Sequence, residues 1–322
     1  MIPTFEIPPV PQPQTLLDTA LARGAKRGRL VKKPHETHLK ALVGELERLK
    51  EIRSTITRAL TAVQDGFPSF DRLSEFSRRI FALDLDPGRV QRAIGAVQGS
   101  ARTIDALARD HERRMRAAHS EAEIVKVRGA FIGRVSSVMK RLDEPLTLLS
   151  TARDIFRAMP TLDDELFTVA IAGFPNVGKS TLLSRITPAK PEIKAYAFTT
   201  KGLNVGYFDH RYQRMQCVDT PGTLDREHPN PIERKAELTL RYLARCIVYV
   251  FDPTEAGYSF AKQRALYAKT VELDKPMIVY ISKTDVANPQ AVRELTAAYP
   301  DACTDAAEVK KRIIAAWKEE HR

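Results

Sequence analysis

The chain of 322 residues carries 51 Lys and Arg against 40 Asp and Glu, a formal charge of +11, and is 43% hydrophobic. That length predicts two domains, each able to bury its own core. Three cysteines, Cys217, Cys246 and Cys303, are far apart and odd in number, which excludes a disulfide framework, offers no zinc spacing and fits a reducing compartment. The longest apolar runs, such as Cys246–Phe251, are too short to cross a bilayer, and the N-terminus lacks the basic-then-apolar order of a signal peptide. The expectation is a soluble, cytoplasmic protein with no membrane partner. The positive excess is spread over both halves, with one concentration: Arg23, Lys26, Arg27, Arg29, Lys32 and Lys33 occur with no acidic residue among them. Such a segment suits a polyanion, most simply RNA, and equally suits a solvated surface.

In chain order, Pro3, Pro8, Pro9, Pro11 and Pro13 read as extended chain, and with the basic segment they predict an extended basic arm over residues 1–34. Its two glycines favour a flexible phosphate-binding arm over a core helix. From His35 the pattern turns helical. Leu39, Leu42, Val43, Leu46, Leu49, Ile52 and Ile56 recur at three- and four-residue steps as one apolar stripe. Gly66-Phe-Pro-Ser-Phe breaks that helix, and another is predicted from Phe70 to Phe81, closed by Asp86-Pro87-Gly88. Long amphipathic stretches follow, with Ile94, Val97, Ile104 and Leu107, then Ile124, Val127, Phe131, Val135, Val138 and Leu142. Residues 35–162 therefore read as a helical bundle. After Pro160 short β-rich runs alternate with helical ones: Phe167–Ala172, Gln213–Asp219, Cys246–Phe251 and Met277–Ile281 against Pro231–Leu243, Ser259–Leu273 and Pro289–Tyr299. Residues 163–322 read as an α/β domain on a mainly parallel sheet, each buried strand ending in a polar residue where a ligand crevice belongs.

The strongest motif follows the first of those strands. Gly173, Phe174, Pro175, Asn176, Val177, Gly178, Lys179, Ser180 and Thr181 fit the phosphate-binding P-loop pattern. Its glycines let backbone N–H groups close around phosphate oxygens at a helix N-terminus, Lys179 faces the β/γ-phosphates and Ser180 offers a hydroxyl to Mg²⁺. Next come Asp219, Thr220, Pro221 and Gly222: the carboxylate can hold Mg²⁺ through its water shell and the Gly222 N–H can meet the γ-phosphate. Between the two lies a loop with adjacent hydroxyls, where Thr200 or its neighbour Thr199 ligates Mg²⁺ only while a γ-phosphate is present. Ser282, Lys283, Thr284 and Asp285 follow the last strand. The Asp285 carboxylate can accept from guanine N1–H and N2–H₂, the Lys283 stem can lie along the purine face, and the ordered set selects GTP over ATP.

These motifs, with Tyr196-Ala-Phe-Thr-Thr-Lys-Gly-Leu-Asn-Val-Gly206 and Asp219-Thr-Pro-Gly-Thr-Leu-Asp-Arg226, resemble the Obg/HflX superfamily of GTPases, and more narrowly its Nog, or nucleolar GTP-binding, proteins in their short archaeal form. Phe67-Pro-Ser-Phe, Arg92-Ala-Ile-Gly-Ala-Val, Ala101-Arg-Thr-Ile-Asp105 and Ala256-Gly-Tyr-Ser259 extend the likeness over nearly the whole chain. The resemblance implies a Nog-type helical domain, a Ras-like P-loop GTPase domain, and a switch in large-subunit assembly whose partners are the subunit precursor and ribosomal RNA, the protein being a monomer off the ribosome. It implies catalytic roles for Lys179, Thr200 and Gly222, and Mg²⁺ on Ser180, Thr200 and Asp219.

Departures from the pattern carry expectations of their own. Ser282 stands where Asn is usual and predicts a lost link between base pocket and P-loop. Ala197 replaces a common Pro. The last guanine-contact loop is hard to find, with Asp301-Ala302-Cys303 the nearest candidate. Thr223 follows Gly222 where Ras-type enzymes place a water-orienting Gln, which predicts slow turnover, on the order of 10⁻⁴ to 10⁻² s⁻¹. Relatives of this kind can activate hydrolysis with K⁺ held by the P-loop Asn, here Asn176. Two alternatives stay open: an assembly placeholder with negligible hydrolysis, favoured by Ser282 and Thr223, and an ATPase, disfavoured by Asp285.

Overall fold

Residues 7–30, 37–158, 162–188, 192–194, 203–220 and 231–322 are described by the computed structural model of the chain. They form two compact units, one of Phe5–Arg72 with Asp84–Arg157, the other of Leu73–Leu83 with Ala158–Arg322.

In the helical unit α1 (Pro13–Leu30) packs on α2 (Thr37–Gly66), and α2 packs in turn on α4 (Pro87–Arg116) and α5 (Glu121–Lys140). The apolar stripe of α2 is buried from Leu46 through Leu49, Ile52, Ile56 and Leu60 to Val63, and the helices packed on it bury Val97 and Ile104 of α4 and Phe131 and Val135 of α5. The helix expected over Phe70–Phe81 begins only at Glu75, after a short 3-10 turn at Phe70–Arg72, and ends at Asp84. Asp86-Pro87 then starts the next one, the Asp86 carboxylate accepting from Gly88 N at 2.7 Å and Pro87 occupying the first turn, where no N–H is needed. Ion pairs that cross the bundle include Arg53–Asp105 at 2.6 Å and Arg128–Glu45 at 2.7 Å. At the end of α6 (Asp143–Ala158), Phe156 meets the rings of Phe67 and Phe70 at 6.2 and 5.9 Å.

The expected extended arm is corrected by α1, which is helical from Pro13 to Leu30. Ala20, Gly24 and Gly28 recur every four residues and are buried, so they form one smooth stripe along the helix. A Cβ on Gly24 would lie 2.6 Å from Ile52 Cγ1, and one on Gly28 would lie 2.8 Å from the Gly44 carbonyl. The glycines that suggested flexibility are what let two helix backbones touch. Arg23, Lys26, Arg27 and Arg29 are exposed on this helix, with Arg27 Nε 3.6 Å from Glu47. Lys32 and Lys33 lie outside the described residues.

The second unit is built on a six-stranded sheet of order β2-β3-β4-β1-β5-β6. Its strands are β1 (Phe167–Ala172), β2 (Glu192–Lys194), β3 (Leu203–His210), β4 (Gln213–Asp219), β5 (Cys246–Phe251) and β6 (Met277–Ile281). β4, β1, β5 and β6 run parallel, while β2 and β3 are antiparallel additions. β1 and β5 are buried at every residue, as continuous apolar runs require. Val169 pairs with both Cys217 and Cys246. Burial there pushes the Cys246 thiol up to about 12 and Cys217 higher still, so neither is a reactive thiolate. The helices around the sheet are α7 (Lys179–Ile186), α8 (Pro231–Leu238, continued as a π-turn over Thr239–Leu243), α9 (Phe260–Val271), α10 (Pro289–Ala298) and α11 (Ala306–Glu320).

α3 (Glu75–Asp84) departs from a simple division at 162/163. Its Phe76 and Ile80 share a core with Leu162, Val205, Val218 and Leu243, against the outer half of the sheet. The Arg79 guanidinium stands 4.3 Å from the centre of the Tyr242 ring. Burial pushes the Asp164 carboxyl above its ordinary range, partly offset by hydrogen bonds from Ser74 and Ser77.

Candidate nucleotide-binding site

The site forms where β1, β4, β5 and β6 end together, because four parallel strands deliver their following loops to one edge. After β1 the chain turns at Gly173 (φ 140°), Asn176 (φ 64°) and Gly178 (φ 102°) before α7 begins. A Cβ on Gly173 would lie 2.7 Å from the Val250 carbonyl, so that position has both a conformational and a steric need for glycine. Lys179 is buried and its Nζ donates to the Phe174 carbonyl at 2.7 Å. Burial lowers its pKa and the Asp219 charge works against that shift.

At the end of β4, Asp219 sits beside the start of α7. Ser180 Oγ donates to Asp219 Oδ2 at 2.5 Å and Asn204 Nδ2 donates to the same oxygen at 3.2 Å. Asp219 Oδ1 is buried and has no hydrogen-bond partner among the described residues. Thr220 turns inward, its N and Oγ1 both donating to the Ile171 carbonyl, which ties this strand end to β1. Thr199, Thr200, Pro221, Gly222 and Thr223 lie outside the described residues, as does Ala197.

On the far side, the expectation that Ser282 loses the link to the P-loop is corrected. Ser282 is buried, and its Oγ lies 2.6 Å from the Val177 carbonyl and 3.0 Å from that of Phe251. Short reach is compensated by close approach. A Cβ on Gly178 would lie 3.4 Å from Ser282 Cβ, an ordinary contact, so the left-handed φ of 102° and not the serine calls for glycine there. Lys283 takes a left-handed conformation (φ 49°) and donates to Asp252 Oδ2 at 2.6 Å, while Thr284 and Asp285 are exposed in the loop that follows. The Asp301–Cys303 segment runs beside β6: Cys303 N donates to Val279 O at 2.8 Å and Ile281 N to Cys303 O at 2.9 Å. Ala302 is thereby carried to the strand edge that ends at Ser282.

Three residues of this neighbourhood belong to none of the nucleotide-binding motifs, though Tyr258 lies in the Ala256–Ser259 stretch that carries the family resemblance. Asp252 is the polar residue that follows β5, a signal the sequence offered; Gln263 and Tyr258 match no general phosphate- or base-binding pattern.

The chain matches the family described as the NOG1 N-terminal helical domain over residues 5–163 and that described as 50S ribosome-binding GTPase over residues 168–283. It is 35% identical over 296 residues to an uncharacterized protein of Methanocaldococcus jannaschii, covering 90% of this chain and 83% of that one. It is 30% identical over 294 residues to nucleolar GTP-binding protein 1 of Saccharomyces cerevisiae, covering 90% of this chain and 45% of that one. The chain belongs to the Nog family of nucleolar GTP-binding proteins. This Nog-family chain spans about half the length of the yeast relative. Among solved structures, the G domain of the T. maritima FeoB iron transporter is similar at 22% identity and a TM-score of 0.39, over 47% of this chain and 99% of that one. The Nog chain thus joins a helical region to a P-loop GTPase domain, and none of its helices, among the described residues, is long and apolar enough to cross a membrane.

Proposed function

We propose that this chain binds GTP and GDP with Mg²⁺, hydrolyses GTP slowly, and acts as a switch in assembly of the large ribosomal subunit. The observation that carries the reading is the Ser180–Asp219 pair beside the P-loop, with one Asp219 oxygen buried and unpartnered among the described residues. A hydroxyl and a carboxylate are hard oxygen donors suited to Mg²⁺, and a buried acceptor without a partner fits a water of its shell. When bound, Mg²⁺ neutralises charge on the β- and γ-phosphate oxygens. Lys179 exchanges its contact with the Phe174 carbonyl for phosphate, and the backbone between Gly173 and Gly178 supplies N–H donors. Asp285 selects the guanine edge and Ala302 flanks the base. Thr200 and Gly222 sense the γ-phosphate, which makes the switch. With Thr223 in place of a glutamine, the attacking water has no side-chain amide to orient it, so turnover waits for an activator or for K⁺ held at Asn176.

The family description of residues 168–283 as a 50S ribosome-binding GTPase supports the ribosomal part of this reading. The exposed basic residues of α1 and the charge of +11 support contact with the RNA of precursor particles, the protein being a monomer elsewhere. Thr223 favours a second reading, a nucleotide-bound placeholder with negligible hydrolysis; Ser282 no longer does, since its hydroxyl keeps the link to the P-loop. Affinity for GTP against ATP, and single-turnover hydrolysis with and without large-subunit particles, test the proposal. Preference for ATP overturns it. Hydrolysis that particles and K⁺ both fail to raise leaves the placeholder.

A further inference from the structure

The polar residues around Lys283 form a network that the nucleotide motifs do not account for. Asp252 is buried, and both of its carboxylate oxygens are used: Oδ1 accepts from Thr254 N at 2.9 Å and Thr254 Oγ1 at 2.7 Å, and Oδ2 accepts from Lys283 Nζ at 2.6 Å. Its backbone is clasped by one buried amide. Asp252 N donates to Gln263 Oε1 at 2.9 Å, and Gln263 Nε2 donates to Asp252 O at 3.0 Å and to Tyr258 O at 2.9 Å. The Tyr258 ring in turn stacks on Phe174 of the P-loop, 4.0 Å between centroids and 18° between planes. Burial alone would raise the Asp252 pKa; the hydrogen bonds from Lys283 and Thr254 outweigh it and hold the group below its ordinary value. The carboxylate is a fixed charge in a braced frame.

We infer that Asp252 is a positioning residue for the nucleotide base: it holds the Lys283 ammonium so that the aliphatic stem of Lys283 forms the shelf on which the purine ring lies. Two features point this way rather than to a structural ion pair alone. Lys283 sits in a left-handed backbone conformation (φ 49°), uncommon for a residue with a side chain, directly before the Thr284–Asp285 loop. And Asp252, Lys283, Tyr258 and Asn176 line one small cavity of about 170 Å³ against the P-loop, so the frame adjoins the site and not the distant core. A free lysine would surrender rotamer entropy on stacking against a base; one already clamped at its ammonium does not.

The inference rests on the proposed guanine-nucleotide reading, and its test separates the two. Affinity for GDP and for IDP is measured on the full chain by titration calorimetry for the parent, Asp252→Asn, Lys283→Met and the double variant. Asp252→Asn should weaken GDP and IDP together by about tenfold, the size of one charge-assisted contact. The GDP to IDP ratio should not move, because the stem meets the ring face and not its hydrogen-bonding edge. In the Lys283→Met background the same substitution should cost nothing further. Unchanged GDP affinity in Asp252→Asn, an equal loss in both backgrounds, or a shifted ratio would each overturn the positioning role. Should Asp252→Asn fail to fold, the double variant leaves no charge buried alone; it is then compared with Lys283→Met, where equal affinity supports the inference and a further loss overturns it. A parent that binds no GDP removes the underlying reading and this inference with it.

Discussion

The contact between α1 and α2 allows one substitution to be tested at two positions with opposite expected signs. Gly24→Ala places a methyl 2.6 Å from Ile52 Cγ1 and 3.0 Å from the Arg48 carbonyl oxygen, whereas Gly99 on α4 has nothing within 4 Å of its would-be Cβ. Real Cβ atoms do not tolerate the first distance, so α1 must move away from α2 or Ile52 must leave its rotamer, at about 1–3 kcal/mol. Replacing glycine by alanine inside a helix gains roughly 1 kcal/mol at either site. Gly24→Ala should therefore destabilise the helical unit by a net ~0–2 kcal/mol, while Gly99→Ala should stabilise it by about 0.5–1 kcal/mol. Urea titration followed by far-ultraviolet circular dichroism measures both, the sign resting on the shift in midpoint at unchanged slope. If Gly24→Ala stabilises as Gly99→Ala does, α1 is not seated against α2 and the basic segment is an arm after all.

Lys179→Ala should abolish tight nucleotide binding, and Ser180→Ala should chiefly remove its Mg²⁺ dependence; GTP affinity equal to the parent in the lysine variant would refute the P-loop assignment. Asp285→Asn should shift preference from GTP toward xanthosine triphosphate, read by competition titration, and an unchanged preference removes Asp285 from the base edge. Neutralising Arg27, Arg29, Lys32 and Lys33 together should weaken binding to large-subunit RNA and flatten its dependence on salt, the slope falling in proportion to the phosphates these side chains neutralise, with GTP affinity unaltered; an unaltered salt slope denies the segment that role. Asp164 has its pKa raised by burial, so its folded state favours the protonated form and the stability this contributes is present in acid and lost as pH rises through the folded value. Asp164→Asn should accordingly stabilise the GTPase unit at neutral pH and not at acid pH, and thermal melts showing the same shift at both would contradict that role for burial.

What could be read from the sequence divides along a physical line. The P-loop, Asp219 and the Ser282–Asp285 loop were legible because each is a local spacing whose chemistry needs those residue types in that order. The parallel sheet was legible because strands buried on both faces have to be continuously apolar. Three features were misread or missed because they depend on what a residue touches across space. Gly24 and Gly28 are permissive in a loop and permissive at a helix crossing, and only the Ala20–Gly24–Gly28 period separates the two. Ser282 is too short for its task on average geometry, yet Val177 O lies within its reach at 2.6 Å. Phe76 and Ile80 carry an amphipathic period that any helix bundle would accept, and nothing local says that their core is Val205, Val218 and Leu243. Val205 and Val218 lie on β3 and β4, and β4 ends at Asp219. A helix drawn from far upstream in the chain therefore packs on the strand that ends at Asp219 and on its antiparallel neighbour.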